Sequence, residues 1–199
     1  MGDSFIITGG LHSTTAQLIA TSLIYTEDAG WKNFTALPDP PHSHCQVTLG
    51  DSVYVVGGWT AGGPTGNTYS LSLSSSSSKQ WVKQKSLNTP RFWHDCAEWD
   101  GGIIAVGGYN DDAGGELSSV EKYNPVSNKW STSTPLLTPL RFMQAFVWEN
   151  DLYLLGGGGS KKVFKLKQNE DKWEELLTLP NGEMRSIFPA VTLSSIHCA

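Results

Sequence analysis

Two short clusters carry residue types that could hold a metal. His42, His44 and Cys45 stand almost side by side, and His94-Asp95-Cys96 repeats the flavour fifty residues later. Imidazole and thiolate are the natural zinc ligands, but a structural site needs four of them at a recognisable spacing, and no such set emerges. Neighbours on a strand point to opposite faces, so His44 and Cys45 would not converge on one ion. His44 and His94 each stand 13 residues before a Gly-Gly pair, and Met143 holds that position in the next repeat. A position filled by His, His and Met reads as packing on an inner strand.

Nucleophilic and acid–base chemistry find as little. Serine is abundant, yet no G-x-S-x-G elbow occurs and no Ser is matched to a His and an acid by motif. Asp111, Asp112 and Glu116 form the most acidic loop cluster, which reads as a solvated loop. The Gly-Gly pairs could suggest a phosphate cradle, but no helix pattern and no Lys-Ser/Thr follows any of them. No catalytic residue, metal ligand or cofactor is therefore assigned.

Charge narrows the partners. The chain has 14 basic and 19 acidic residues, a net charge of −5, so the basic footprint of a nucleic-acid binder is missing. No apolar run approaches the roughly 18–20 residues that span a bilayer. Met1 to Phe5 lead straight into a strand, offering no signal peptide, and Ile6 breaks the myristoylation pattern. Three cysteines, Cys45, Cys96 and Cys198, make an odd count without a CxxC pair, so reduced thiols in a cytoplasmic setting are expected. The sequon at Asn33-Phe34-Thr35 is read as chance.

The organisation is a repeat. Four apolar runs end on glycine pairs: Gly9-Gly10, Gly57-Gly58, Gly107-Gly108 and Gly156-Gly157. Their first glycines are 48, 50 and 49 residues apart. An aromatic residue follows each pair, at Tyr25, Tyr69, Tyr123 and Phe164, then a tryptophan, at Trp31, Trp81, Trp130 and Trp173, and then a proline. An unbroken apolar run suits a strand covered on both faces, as in stacked sheets. The paired glycines allow backbone angles and close approaches that a Cβ forbids. The aromatic and the indole supply large buried areas at one fixed place per repeat. Eight tryptophans thus read as packing between sheets.

These features resemble the kelch repeat, whose period of about 50 residues and four strands per blade build a β-propeller. The resemblance covers nearly the whole chain. It implies an all-β fold of four blades, at approximately 1–40, 41–90, 91–140 and 141–183, within one domain spanning 1–199. Strands run a to d from the axis outward, with the glycine pair on b, the tyrosine on c and the tryptophan near the start of d. Strand a follows the proline, as in Phe92 to Trp99 and Phe142 to Trp148. The chain opens on a b strand, and 184–193 resembles a closing a strand that would complete the first blade. Either the ring closes at four blades, or the chain is the C-terminal part of a larger ring, the reading preferred here. A partial ring would expose sheet faces and self-associate.

The resemblance also implies where partners bind. In such propellers the b–c and d–a loops gather at one end, placing Arg91, Arg141, Arg185, Trp59, Tyr109 and Asn110 at a rim. Aromatics and arginines there suit a peptide or loop, Arg through paired hydrogen bonds to carboxylates. The expected function is a non-catalytic protein-binding scaffold, similar to the substrate-recognition end of kelch-like adaptors for cullin-based ubiquitin ligases. These 199 residues hold no BTB or BACK segment, so the adaptor role is carried by the resemblance alone. Rival readings are a sugar-acting enzyme with a site dispersed over loops, and an actin cross-linker. The Tyr/His copper site of kelch oxidases and the E-x-x-x-D-x-x-x-H stretch of specifier proteins do not occur.

Overall fold

A computed structural model describes residues 4–74 and 79–179. The central strand of each repeat is an apolar run ending on the glycine pair: β1 (Ser4–Ile7), β5 (Ser52–Val56), β9 (Gly102–Val106) and β13 (Asp151–Leu155). Around β1 lie β2 (Leu23–Thr26) and β3 (Gly30–Asn33). Around β5 lie β4 (Cys45–Leu49), β6 (Thr68–Ser72) and β7 (Val82–Gln84). The third repeat adds β8 (Asp95–Trp99), β10 (Val120–Asn124) and β11 (Lys129–Ser133). The fourth adds β12 (Gln144–Trp148), β14 (Lys162–Leu166) and β15 (Trp173–Thr178). Each repeat is an antiparallel meander, in the orders β1-β2-β3, β4-β5-β6-β7, β8-β9-β10-β11 and β12-β13-β14-β15. These are kelch-type blades. Among the described residues they do not close into a ring, and no helix is long and apolar enough to cross a membrane.

The double-sided burial expected of the apolar runs follows from stacking. All five residues of β9 are buried. On the side facing the second sheet, Ile103 and Ala105 join Tyr123 and Trp130 in packing on Cys45, Tyr54 and Val56. On the other side, Ile104 and Val106 pack with Leu152, Leu154, Phe164 and Trp173 of the fourth sheet. Each b strand is thus shared between two cores by its period-two alternation. An indole buries about 150–250 Å2, which at ~25 cal/mol/Å2 is roughly 4–6 kcal/mol as an upper bound.

Polar staples fix the spacing of the sheets. The indole Nε1 of Trp81, Trp130 and Trp173 donates to the carbonyls of Thr35, Lys85 and Thr134 on the preceding sheet. Backbone N–H groups of Gly10, Gly58 and Gly108 donate to the carbonyls of Pro41, Arg91 and Leu140 on the following one, at 2.8–2.9 Å. This close approach is why glycine is needed. At Gly57, with φ of 61°, a Cβ would lie 2.7 Å from the Arg91 carbonyl oxygen and 2.8 Å from His94 Cε1.

Two expectations are corrected. Strand a begins later than Phe92 and Phe142, at Asp95 and Gln144, because Trp93 and Phe142 turn through the left-handed region (φ 54° and 58°), as does Ser43 (φ 53°). The turn aims Trp93 N–H at the Ser43 carbonyl and Phe142 N–H at the Trp93 carbonyl, which links three blades around the axis. Second, Cys45 and Cys96, expected as separate thiols, stand side by side at a Cα spacing that a disulfide could bridge. They lie on β4 and β8, innermost strands that converge toward the axis, with Cα atoms 5.9 Å apart despite 51 residues of separation. The predicted closing strand at 184–193 and Cys198 lie outside the described residues.

Candidate functional site

The d–a turn places three successive residues of each repeat in different surroundings. Counted back from the first glycine of the pair, the sixteenth residue is Pro41, Arg91 or Leu140, and its carbonyl accepts the staple described above. The fifteenth is His42, Phe92 or Arg141; the fourteenth is Ser43, Trp93 or Phe142. In the second and third blades the fifteenth residue is locked to the b–c loop by a two-way backbone bridge. His42 pairs with Trp59 at 2.8–2.9 Å, and Phe92 with Tyr109 at 2.8–3.2 Å. In the fourth blade the residue matching Trp59 and Tyr109 is Gly158, which has no side chain to offer.

The consequence is a cavity of about 430 Å3 lined by His42, Trp59, Phe92, Trp93, Tyr109, Asp111 and Arg141. Its walls are aromatic edges set against faces. Trp59 and Phe92 meet at 4.9 Å and 87°, and Phe92 contacts Trp93 at 4.4 Å and Tyr109 at 5.5 Å. Arg141 forms the far wall. Its guanidinium lies 5.1 Å from the Tyr109 ring, 5.3 Å from Trp93 and 5.3 Å from Phe142, with Nε 3.0 Å from Glu116 Oε1. Three rings and one carboxylate hold a long, flexible side chain in one place, which lowers the entropy lost when it meets a ligand. The hydrogen bond between Tyr109 and Asp111 raises the phenol pKa above its ordinary value.

Residues 94–137, which include this blade's tyrosine and tryptophan, match the Kelch motif family. The chain is similar to kelch-like protein 36 of Rattus norvegicus, 31% identical over 164 residues, which are 78% of this chain and 26% of that protein. It is similar to kelch-like protein 36 of Bos taurus, 27% identical over 191 residues, 90% of this chain and 30% of that one. Kelch-like protein 35 of Mus musculus is 29% identical over 175 residues, 85% and 29% of the two chains. The chain belongs to the kelch-like family. It spans between a quarter and a third of the length of these relatives.

The expected rim residues of this kelch chain divide sharply. Trp59, Tyr109 and Arg141 line the cavity together. Arg91 does not reach it. Its side chain is 0% exposed, donating to the Gly107 and Ser119 carbonyls and pairing with Glu121 at 2.8 Å, so it braces the third blade from within. Asn110 is also buried: its Nδ2 donates to the Pro90 carbonyl and its Oδ1 accepts from Asp112 N–H. Arg185 lies outside the described residues. One residue of spacing separates the fates of Arg91 and Arg141, sixteen and fifteen before their glycines, and that difference is legible in the sequence. His42, Phe92 and Trp93 line the cavity as well, although by pattern Phe92 and Trp93 belong to a strand and His42 stands out only as a metal-ligand type.

The inner strands hold the strongly shifted groups. His44 packs against Gly9 of the first blade, within reach of Thr8 Oγ1 at 3.2 Å, and burial pushes its pKa down to about 4. Burial, with Arg91 and His44 nearby, holds His94 well below its usual value. Asp95 is pushed up to about 6 by burial, although it accepts from Ala145 N–H at 2.7 Å and Gln144 Nε2 at 3.0 Å on the next blade. These groups serve contacts between blades.

Proposed function

We propose that this kelch chain is a non-catalytic recognition module, and that the aromatic cavity beside Arg141 receives a segment of a protein partner. The carrying observation is the convergence of Trp59, Phe92, Trp93 and Tyr109 with a guanidinium held on their faces. Rigid aromatic anchors and arginine are the residue types that dominate interface energetics. A segment placing one apolar side chain between Trp59 and Tyr109 and a hydrogen-bond acceptor on Arg141 would use the whole cavity. Asp95, the carboxyl raised by burial, has its oxygen engaged by the neighbouring blade, which favours this reading over a sugar-acting enzyme. Within a longer kelch-like protein the cavity would serve as the substrate-recognition end of a ubiquitin ligase adaptor.

The test is capture of partners by the wild-type chain and by Trp59→Ala, Arg141→Ala and Arg91→Lys variants. The first two should lose a captured protein by tenfold or more, while the third retains it if still folded by circular dichroism. A partner whose capture ignores both Trp59 and Arg141 would refute the assignment.

A further inference from the structure

Two buried nucleophilic side chains, Cys45 and Cys96, line neither the cavity nor any of the polar staples between sheets. The register of the inner strands brings them together. Counted back from the first glycine of the pair, Cys45 is the twelfth residue of the second blade and Cys96 the eleventh of the third. The same two positions meet at the next joint. There Asp95, twelfth in the third blade, accepts from the N–H of Ala145, eleventh in the fourth, at 2.7 Å. Where one joint sets a carboxylate on a backbone donor, the other sets a thiol against a thiol.

The pair is held in place from both sides. Cys45 lies opposite Val56 in the ladder of β4 with β5, and Cys96 opposite Ala105 in that of β8 with β9. Both join Tyr54, Val56, Ile103 and Ala105 in one apolar core, so neither can turn away without opening it. Their Cα spacing of 5.9 Å falls within the common range of disulfides, about 5.5–6 Å. Thiols so deeply buried are closed to bulky reagents and open only to small ones. Cys45 stands three residues beyond His42, and Cys96 three beyond Trp93, so a bond between them ties together the strands that lead out of two cavity-lining residues.

We propose that Cys45 and Cys96 form a site of reversible oxidation, closing into a disulfide between the second and third blades when the protein meets a small peroxide and reopening in a dithiol reductant. One sulfur, as thiolate, attacks a peroxide oxygen; the O–O bond breaks, leaving a sulfenic acid and one water. The second thiol gives up its proton as its sulfur displaces the hydroxyl, which forms the S–S bond and releases a second water. The sulfurs lose two electrons and the peroxide gains them. A dithiol reverses the step by exchange and ends as a disulfide itself. The closed bond spans 51 residues of sequence, and so constrains the unfolded chain while fixing one blade against the next. This site is independent of what the aromatic cavity receives.

The experiment compares the full 199-residue chain kept in dithiothreitol with the same chain treated, while folded, with hydrogen peroxide. Each sample is alkylated in denaturant and digested with trypsin, which puts the three cysteines on separate peptides, 33–79, 92–122 and 186–199. Mass spectrometry should find 33–79 linked to 92–122 after peroxide, two hydrogens lighter than their sum, and the two apart in dithiothreitol. The oxidised chain should melt roughly 8–16 °C above the reduced one. Peroxide treatment of Cys45→Ser should give no such rise, and that of Cys198→Ser the full rise. Oxidised and reduced wild type are compared directly, so the result stands even where Cys45→Ser fails to fold. Cys45 and Cys96 left unlinked by peroxide, a link to Cys198 in place of the pair, or a linked chain that melts no higher than the reduced one would overturn the proposal.

Discussion

Glu121→Gln tests whether the third blade is braced by the buried charge pair. In the native chain Glu121 Oε1 accepts from Arg91 at 2.8 Å and from Thr89 N–H at 3.0 Å, while Oε2 accepts from Asn88 N–H at 2.7 Å. Glutamine keeps the volume but removes the charge, leaving a guanidinium that is 0% exposed without its counter-ion. Breaking a buried pair from one side costs about 3–5 kcal/mol. The amide NH2 also faces the Asn88 N–H, donor against donor, adding to the loss. For a domain of 150–250 residues each kcal/mol moves Tm by about 2–4 °C, so the variant should melt roughly 6–20 °C below wild type. Urea titration followed by tryptophan fluorescence gives the free energy, and Arg91→Met with the double variant completes a cycle. The double variant should be less destabilised than the sum of the singles by at least ~1 kcal/mol, since the orphaned charge is gone. A loss under ~1 kcal/mol for Glu121→Gln, or strict additivity in the cycle, would refute the brace.

The buried titrating groups oppose one another. His44, folded pKa about 4 against 6.5, contributes about 3 kcal/mol that is present above pH 6.5 and lost as pH falls toward 4. Asp95, folded pKa about 6 against 3.8, contributes in the other sense, about 3 kcal/mol present below pH 3.8 and lost as pH rises through 6. Asp95→Asn should therefore raise Tm at pH 7 and steepen the acid loss between pH 6 and 4; an unchanged slope in scanning calorimetry would contradict the Asp95 assignment. Gly57→Ala and Gly50→Ala both place a Cβ at positive φ, but only the first meets neighbouring atoms, at 2.7 and 2.8 Å. Urea unfolding should show a loss of about 1–2 kcal/mol for Gly50→Ala, the left-handed penalty alone, and at least ~2 kcal/mol more for Gly57→Ala. Equal losses would mean that the joint between blades yields freely.

The spacing of glycine pair, tyrosine and tryptophan made the four sheets legible, because each feature answers a local demand: positive φ at the pair, a two-sided core at the apolar run, a large anchor at the indole. What the spacing could not reveal was set by contacts between repeats. Cys45 and Cys96 meet because inner strands converge, and no feature of their own repeats announces it. Trp93 and Phe142 look like strand residues by type, yet the turn that links blades around the axis takes them out of the strand and, at Trp93, puts an aromatic wall beside the cavity. Arg91 and Arg141 mark the boundary between the two kinds of information. Both follow a d–a turn with a proline nearby, and by residue type they are interchangeable. Their distance from the next glycine is not: the sixteenth residue has its carbonyl bonded to the preceding blade, which carries its side chain inward, whereas the fifteenth stands over the b–c loop. An arginine at the inner position needs a buried acid, and Glu121 supplies one; an arginine at the outer position needs only a surface to lie on, and the loss of the loop side chain at Gly158 leaves the rings of the third blade to provide it. The functional residue is therefore chosen by register, and residue type becomes informative once the register is known.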